Sequence, residues 1–63
     1  MNLKLKFRIL ETYGSQADFA QAVGEHENII SRVIKGRRQL SQEKKELWAR
    51  KLRSSVKALF GEA

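Results

Sequence analysis

Polar side chains between residues 28 and 35 have types and a spacing that suit hydrogen-bonding chemistry. Four of them stand at i, i+3, i+4 and i+7, and each carries a donor: Asn28, Ser31, Arg32 and Lys35. On a helix, residues with this spacing share one face. Arginine can pair with guanine, and asparagine with adenine, through two hydrogen bonds worth about 1–3 kcal/mol of discrimination. By composition alone, a solvated helix side is the more common interpretation of such a face.

A basic loop follows this polar face directly. Gly36 is followed by Arg37, Arg38 and Gln39. Together with Lys35, the two arginines could neutralise phosphates and release counterions, which makes binding sensitive to salt. Such a pair alone would be an ordinary surface loop, but its position after the polar helix face predicts phosphate contacts.

The composition argues against most other chemistry. The chain has 63 residues, 13 lysines and arginines, 7 aspartates and glutamates, one histidine and no cysteine. Thiolate metal sites and cysteine nucleophiles are excluded, and His26 cannot form a zinc site without carboxylate ligands. No apolar run approaches the roughly 18–20 residues that cross a bilayer. We therefore predict a cytoplasmic protein that is not an enzyme, with no metal, cofactor, small-molecule ligand or membrane partner.

Helices must position the polar face. Proline is absent, and good helix formers dominate the sequence. Glycines 14, 24, 36 and 61 suit helix ends, and Ser15 and Ser41 suit helix starts. The sequence predicts one all-α domain over residues 1–63, a compact bundle of four to five short helices. We expect these helices at about residues 3–13, 16–24, 27–35, 42–52 and 55–60.

The spacing of apolar residues predicts which helix faces are buried. In the third helix, Ile30, Val33 and Ile34 stand at i, i+3 and i+4 and should anchor it to the core. In the first helix we expect one broad apolar stripe packed on the core: Leu3, Phe7 and Leu10, with Leu5, Ile9 and Tyr13 beside them.

The second and third helices fit a helix-turn-helix arrangement. They are short and joined by a tight turn at Gly24, which must tolerate a positive φ. Ala20 must be small because the two helices cross close to it. With Ile30 and Val33 turned inward, the polar side of the third helix is free to enter a major groove.

These two helices also resemble a known family. Residues 15–24, SQADFAQAVG, and 28–38, NIISRVIKGRR, are similar to the helix-turn-helix of the phage repressor and Cro family, which has the lambda-repressor-like fold. The resemblance runs from about residue 3 to residue 60 without a gap. It implies a sequence-specific DNA-binding transcriptional regulator of phage, prophage or bacterial type, with its recognition helix at about residues 27–35.

The resemblance implies roles for individual residues. The positions that read base edges are Glu27, Asn28, Ser31 and Arg32. The positions that contact phosphates or the DNA backbone are Gln16, Lys35, Arg37, Arg38 and Gln39. The implied partner is double-stranded operator DNA, bound by a homodimer whose half-sites lie about 34 Å apart.

The last helix carries an apolar trio, Val56, Leu59 and Phe60. The trio could close the core of a single chain or form a two-fold dimer contact. The resembling family commonly uses this region for dimerisation. Both interpretations stay open on the sequence alone.

Several features depart from the family pattern. Glu25 stands where an apolar residue usually closes the turn, and Leu40 replaces a frequent proline. Residues 15–36 carry three acidic side chains and two basic ones, although the net charge of the chain is +6. Attraction to phosphates would therefore have to come mainly from Arg37, Arg38 and side chains of the first and fourth helices.

Two alternative functions remain beside a regulator. The antitoxin of a toxin–antitoxin pair would keep the fold and the DNA binding and add a toxin partner. A protein-interaction module would use the apolar last helix and the basic surface without touching DNA. Binding through several phosphates weakens steeply between about 50 and 200 mM salt, whereas an apolar protein contact does not.

Overall fold

Helices account for all the regular structure of the part of the chain described here, residues 1–61 of a computed structural model. Within that range there are five of them: α1 (Leu3–Tyr13), α2 (Gln16–Val23), α3 (Glu27–Ile34), α4 (Gln42–Lys51) and α5 (Val56–Phe60). The predicted all-α bundle of short helices is confirmed, and each boundary falls within one residue of its expected position. Residues 62–63 of the predicted domain lie outside the described residues.

Polar side chains begin all five helices of residues 1–61. In each case the cap accepts a hydrogen bond from a backbone N–H of the first turn, and the caps are Asn2, Ser15, His26, Ser41 and Ser55. These bonds satisfy N–H groups that have no partner inside the helix. The two serines Ser15 and Ser41 were expected from the sequence.

The turn between α2 and α3 depends on a left-handed residue. Gly24 has φ +71°, a conformation that side chains disfavour. The N–H of Glu25 donates to the carbonyl of Ala20 at 2.9 Å, which is the bond of a Schellman motif. Gly24 therefore ends α2 and turns the chain toward α3, as its position in the sequence predicted.

The core is built around aromatic side chains from three helices. The rings of Phe19 and Trp48 meet edge to face with centroids 5.2 Å apart, and Tyr13 meets Phe19 at 5.3 Å. Edge-to-face packing adds to the stabilisation from burial. The buried residues include Leu5, Ile9, Phe19, Ala20, Ile30, Val33, Ile34, Leu40, Trp48, Ala49, Leu52 and Leu59. Side chains from every helix thus share one core.

Helix α1 corrects one expectation from the sequence. Leu5 and Ile9 are fully buried, but Leu3, Phe7 and Leu10 are 48%, 60% and 38% exposed. The prediction that all of these residues form one broad packed stripe is wrong. A helix turns about 100° per residue, so the exposed residues lie on the side opposite Leu5 and Ile9. Helix α1 packs on α2, α3 and α5 through the Leu5–Ile9 side alone.

Asn2 connects the start of α1 to two other helices. Its backbone N–H donates to the carbonyl of Ile34 at 2.6 Å, and its side-chain amide donates to the carbonyl of Leu59 at 2.7 Å. Its side-chain oxygen caps α1 by accepting from the N–H of Leu5 at 3.0 Å. One residue thereby fixes the relative positions of α1, the end of α3 and α5.

Arg8 connects the middle of α1 to the end of α4. Its guanidinium donates to the carbonyls of Leu52 (2.7 Å) and Arg53 (3.0 Å), and the Tyr13 hydroxyl donates to the carbonyl of Lys51 at 3.2 Å. Carbonyls at a helix C-terminus lack partners within the helix and carry partial negative charge, so a cation is favourable there. The guanidinium of Arg8 is therefore engaged in hydrogen bonds within the fold. Arg8 is one of the basic residues of the first helix from which attraction to phosphates was expected.

Replacing Arg8 tests this connection. Arg8→Met keeps an apolar stem but removes the guanidinium, so we expect a loss of about 1–2 kcal/mol in the free energy of unfolding. Urea denaturation followed by circular dichroism measures it. The control is Arg50→Met, which removes an exposed arginine of α4 and should change stability by less than about 0.5 kcal/mol. Equal stabilities for the two variants would contradict the role given to Arg8.

Candidate nucleic-acid interface

Helix α3 has one buried side and one exposed side. Ile30, Val33 and Ile34 lie in the core, as their spacing predicted. The opposite side carries the four polar residues singled out in the sequence: Asn28, Arg32 and Lys35 are exposed and Ser31 is half-buried. Because the apolar side is fully packed, α3 cannot rotate about its axis without burying charge. The outward direction of the polar side is thus set by the core.

Contacts at both ends hold α3 in position. At the start, the His26 imidazole accepts from the N–H of Asn28 through Nδ1 at 3.3 Å. At the end, the carbonyl of Ile34 accepts from the N–H of Asn2. Histidine is not among the usual capping residues, which is why its role was not expected from the sequence. These contacts, together with the buried side, hold both ends of α3 in place.

Five residues come together around one shallow depression on the outward side of α3: Asn28, Ser31, Arg32, Lys35 and Arg37. We call these five residues the cationic face. Gly36 has φ +79°, and the N–H of Arg37 donates to the carbonyl of Arg32 at 2.9 Å. This turn folds Arg37 back along the last turn of α3. The cationic face therefore combines three positive charges with two neutral hydrogen-bonding groups, and no acidic residue lines it.

The acidic residues of the same segment lie elsewhere. Asp18, Glu25 and Glu27 line a separate depression formed by α2 and the start of α3. The slightly acidic balance of residues 15–36 therefore does not describe the surface that α3 presents. In three dimensions the two signs of charge are separated, and the positive charges border Asn28 and Ser31.

Four predicted site residues lie outside the cationic face. Glu27, expected to read bases, is exposed at the first position of α3 and lines the acidic depression. Arg38 and Gln39 line another depression, which also contains Asn2, Lys45 and Phe60. Gln16 is half-buried at the first position of α2. The basic loop thus divides, with Arg37 beside α3 and Arg38 on the side of Phe60.

Glu25, which departs from the family pattern, takes part in an ion pair. Its Oε2 lies 2.8 Å from the Nζ of Lys44, and its side chain is only 17% exposed. The pair connects the turn between α2 and α3 to α4. It also neutralises one of the three acidic charges near α3. Sequence reasoning did not predict this contact because the two residues are far apart in the chain and belong to no local motif.

The apolar trio of the last helix divides between two environments. Leu59 is only 4% exposed and belongs to the core, whereas Val56 and Phe60 are half-buried and pack against it. The Nζ of Lys45 lies 5.6 Å from the centre of the Phe60 ring, a distance typical of a cation–π contact. Leu59 cannot take part in a dimer contact without leaving the core. Only Val56 and Phe60 present surface to a second chain.

Comparison with known proteins adds no relative. No protein-family model, no curated protein and no solved structure matches this chain. Within residues 1–61, no helix is long and apolar enough to cross a membrane. In the same range, no three His, Cys, Asp or Glu side chains are grouped so as to hold a metal ion. The cationic face is consequently interpreted from its own geometry.

The ion pair between Glu25 and Lys44 can be measured by a double-mutant cycle. We expect Glu25→Gln and Lys44→Gln to be coupled by about 0.5–1 kcal/mol in the free energy of unfolding, because one partner is largely shielded from water. The coupling should fall as salt is raised. In a control cycle, Glu25→Gln and Lys57→Gln should be additive because Lys57 lies on α5. A coupling of zero in the first cycle would show that the pair does not stabilise the turn.

Proposed function

We propose that the protein is a sequence-specific DNA-binding transcriptional regulator of the lambda-repressor-like helix-turn-helix type. Helix α3 is its recognition helix, and double-stranded operator DNA is its partner. The observation that carries the proposal is the cationic face. Hydrogen-bonding donors and positively charged side chains lie together on the exposed side of α3 and the turn after it, while the other side of α3 is buried in the core.

The chemistry of the cationic face suits a division of roles. Asn28, Ser31 and Arg32 are proposed to read base edges, because asparagine and arginine match the hydrogen-bonding patterns of adenine and guanine in the major groove. Lys35 and Arg37 are proposed to bind phosphates, which fixes the helix in the groove without reading sequence. The major groove is about 12 Å wide and admits one α-helix.

The remaining predicted residues are proposed to act at the edges of the interface. Arg38, Gln39 and Gln16 would contact the DNA backbone outside the cationic face. Glu27 would accept a hydrogen bond from cytosine, and this contact must outweigh its repulsion from neighbouring phosphates. The protein would work in the cytoplasm of a bacterium or of a phage-infected host, where it binds the two halves of a palindromic operator as a homodimer.

Selection of bound sites from random duplex DNA, followed by affinity measurements on the selected site, tests this function. We expect a two-fold symmetric consensus. Asn28→Ala and Arg32→Ala should each lower affinity for it about tenfold to a hundredfold, because each removes a two-bond pair to a base. The matched control is Arg50→Ala, which removes the same charge from the exposed surface of α4 and should weaken binding to all sequences by less than about threefold.

The comparison between Arg32 and Arg50 separates base reading from charge. If Arg32→Ala and Arg50→Ala reduce affinity equally for selected and random DNA, the protein binds DNA only through its net charge. If the selection yields no consensus, the assignment of α3 as a recognition helix is wrong.

A protein-interaction module is the second candidate, and the exposed apolar side of α1 favours it. In that case binding would not depend on the cationic face and would be insensitive to salt. A DNA-binding regulator that contacts several phosphates should instead lose affinity steeply between about 50 and 200 mM salt. An antitoxin would give the same DNA result and would in addition bind a toxin, so the salt series separates only the first two functions.

A further inference from the structure

Helix α1 has a second apolar side that nothing in the single chain covers. Leu3, Phe7 and Leu10 stand at i, i+4 and i+7, so they form one continuous line on the exposed side of the helix. We call these three residues the α1 stripe. Scattered apolar residues are ordinary on a protein surface, but an aligned group on one helix typically marks a contact with another molecule.

We propose that the α1 stripe binds the same stripe of a second copy of this chain, with the two α1 helices antiparallel and related by a two-fold axis near Phe7. The proposal deepens the homodimer of the proposed function, and it replaces the apolar trio of the last helix as the dimer contact. It concerns the protein without DNA, so it can succeed or fail separately from DNA binding.

Charges beside the stripe favour a second copy in this orientation. Lys4 and Glu11 are seven residues apart and lie along the same flank of the stripe, while Lys6 lies along the other flank. A two-fold axis perpendicular to the helices makes equivalent flanks face each other in reversed order. Lys4 then faces the partner's Glu11, and Glu11 faces the partner's Lys4. The antiparallel arrangement therefore gives two equivalent contacts, each between a lysine and a glutamate.

A parallel arrangement is less favourable. It makes unlike flanks face each other, so Lys4 of each chain would lie near the partner's Lys6, giving two contacts of like charge. The antiparallel arrangement has one such contact, between the two copies of Lys6. The carboxylate of Glu11 is available for an intermolecular pair, because its side chain is 70% exposed and its contact with Arg8 is long, at 3.4 Å.

The α1 stripe is also a better dimer surface than the last helix. Its central side chain, Phe7, is more exposed than Val56 or Phe60, both of which already pack against the core. The stripe shares no residue with the cationic face, so a chain could use both surfaces at once. Three side chains from each copy make a small interface, and we expect an association that is weak in solution and is strengthened when two chains bind neighbouring half-sites.

Sedimentation equilibrium of the purified full chain without DNA tests the proposal. The wild-type mass should rise from one chain toward two as concentration increases. Phe7→Ala should weaken association about a hundredfold or more, because both copies of the central side chain are lost. Lys4→Glu should weaken it about fivefold by placing two glutamates opposite each other, and the double exchange Lys4→Glu with Glu11→Lys should restore it.

The control variant is Gln42→Glu, which places a charge on the exposed first residue of α4, away from the α1 stripe, and should leave the association unchanged. Circular dichroism should show that all variants stay folded, because every substituted side chain is exposed. A mass of one chain even at about 1 mM protein, where an association free energy of about 4 kcal/mol would be visible, overturns the proposal. It is also overturned if Gln42→Glu abolishes association, or if the double exchange fails to restore it. Loss of DNA binding with intact association would count against the proposed function alone.

Discussion

The buried side of α3 is the constraint on which the account of this protein depends. Ile30, Val33 and Ile34 are packed into the core, and each contributes about 1.5–3 kcal/mol by leaving water. Turning the helix by half a rotation would expose these residues and bury Arg32. The energetic cost of that change fixes the outward direction of the cationic face. Asn2, His26 and the turn at Gly24 then hold the helix at its ends.

Electrostatics at the surface follow from the same packing. In sequence, the three acidic and two basic residues of positions 15–36 almost cancel. In space, Arg32, Lys35 and Arg37 gather on the outward side, while Asp18 and Glu27 lie at the acidic depression with Glu25. The ion pair of Glu25 with Lys44 removes one more negative charge from the segment. The outward side of α3 is therefore positive even though the segment of residues 15–36 is slightly acidic.

Local features of the fold could be predicted from the sequence, and non-local ones could not. Ser15, Gly24 and Ser41 marked helix ends because capping depends on neighbouring residues. The inner side of α3 followed from spacing alone. Helix α1 has apolar residues on two opposite sides, and its periodicity could not indicate which side the other helices would cover. The contacts of Arg8 with the end of α4, and of Glu25 with Lys44, join distant parts of the chain and have no local pattern.

The most direct measurement of the central claim is an NMR titration of ¹⁵N-labelled protein with duplex DNA. If the outward side of α3 is the DNA-binding surface, the largest shifts will fall on the amides of the cationic face, residues 28, 31, 32, 35 and 37. With a duplex that holds a single half-site, amides on the α1 stripe should change little, because one bound chain brings no second copy against the stripe. Large shifts confined to α1 or α5, with the amides of the cationic face unchanged, would contradict the account.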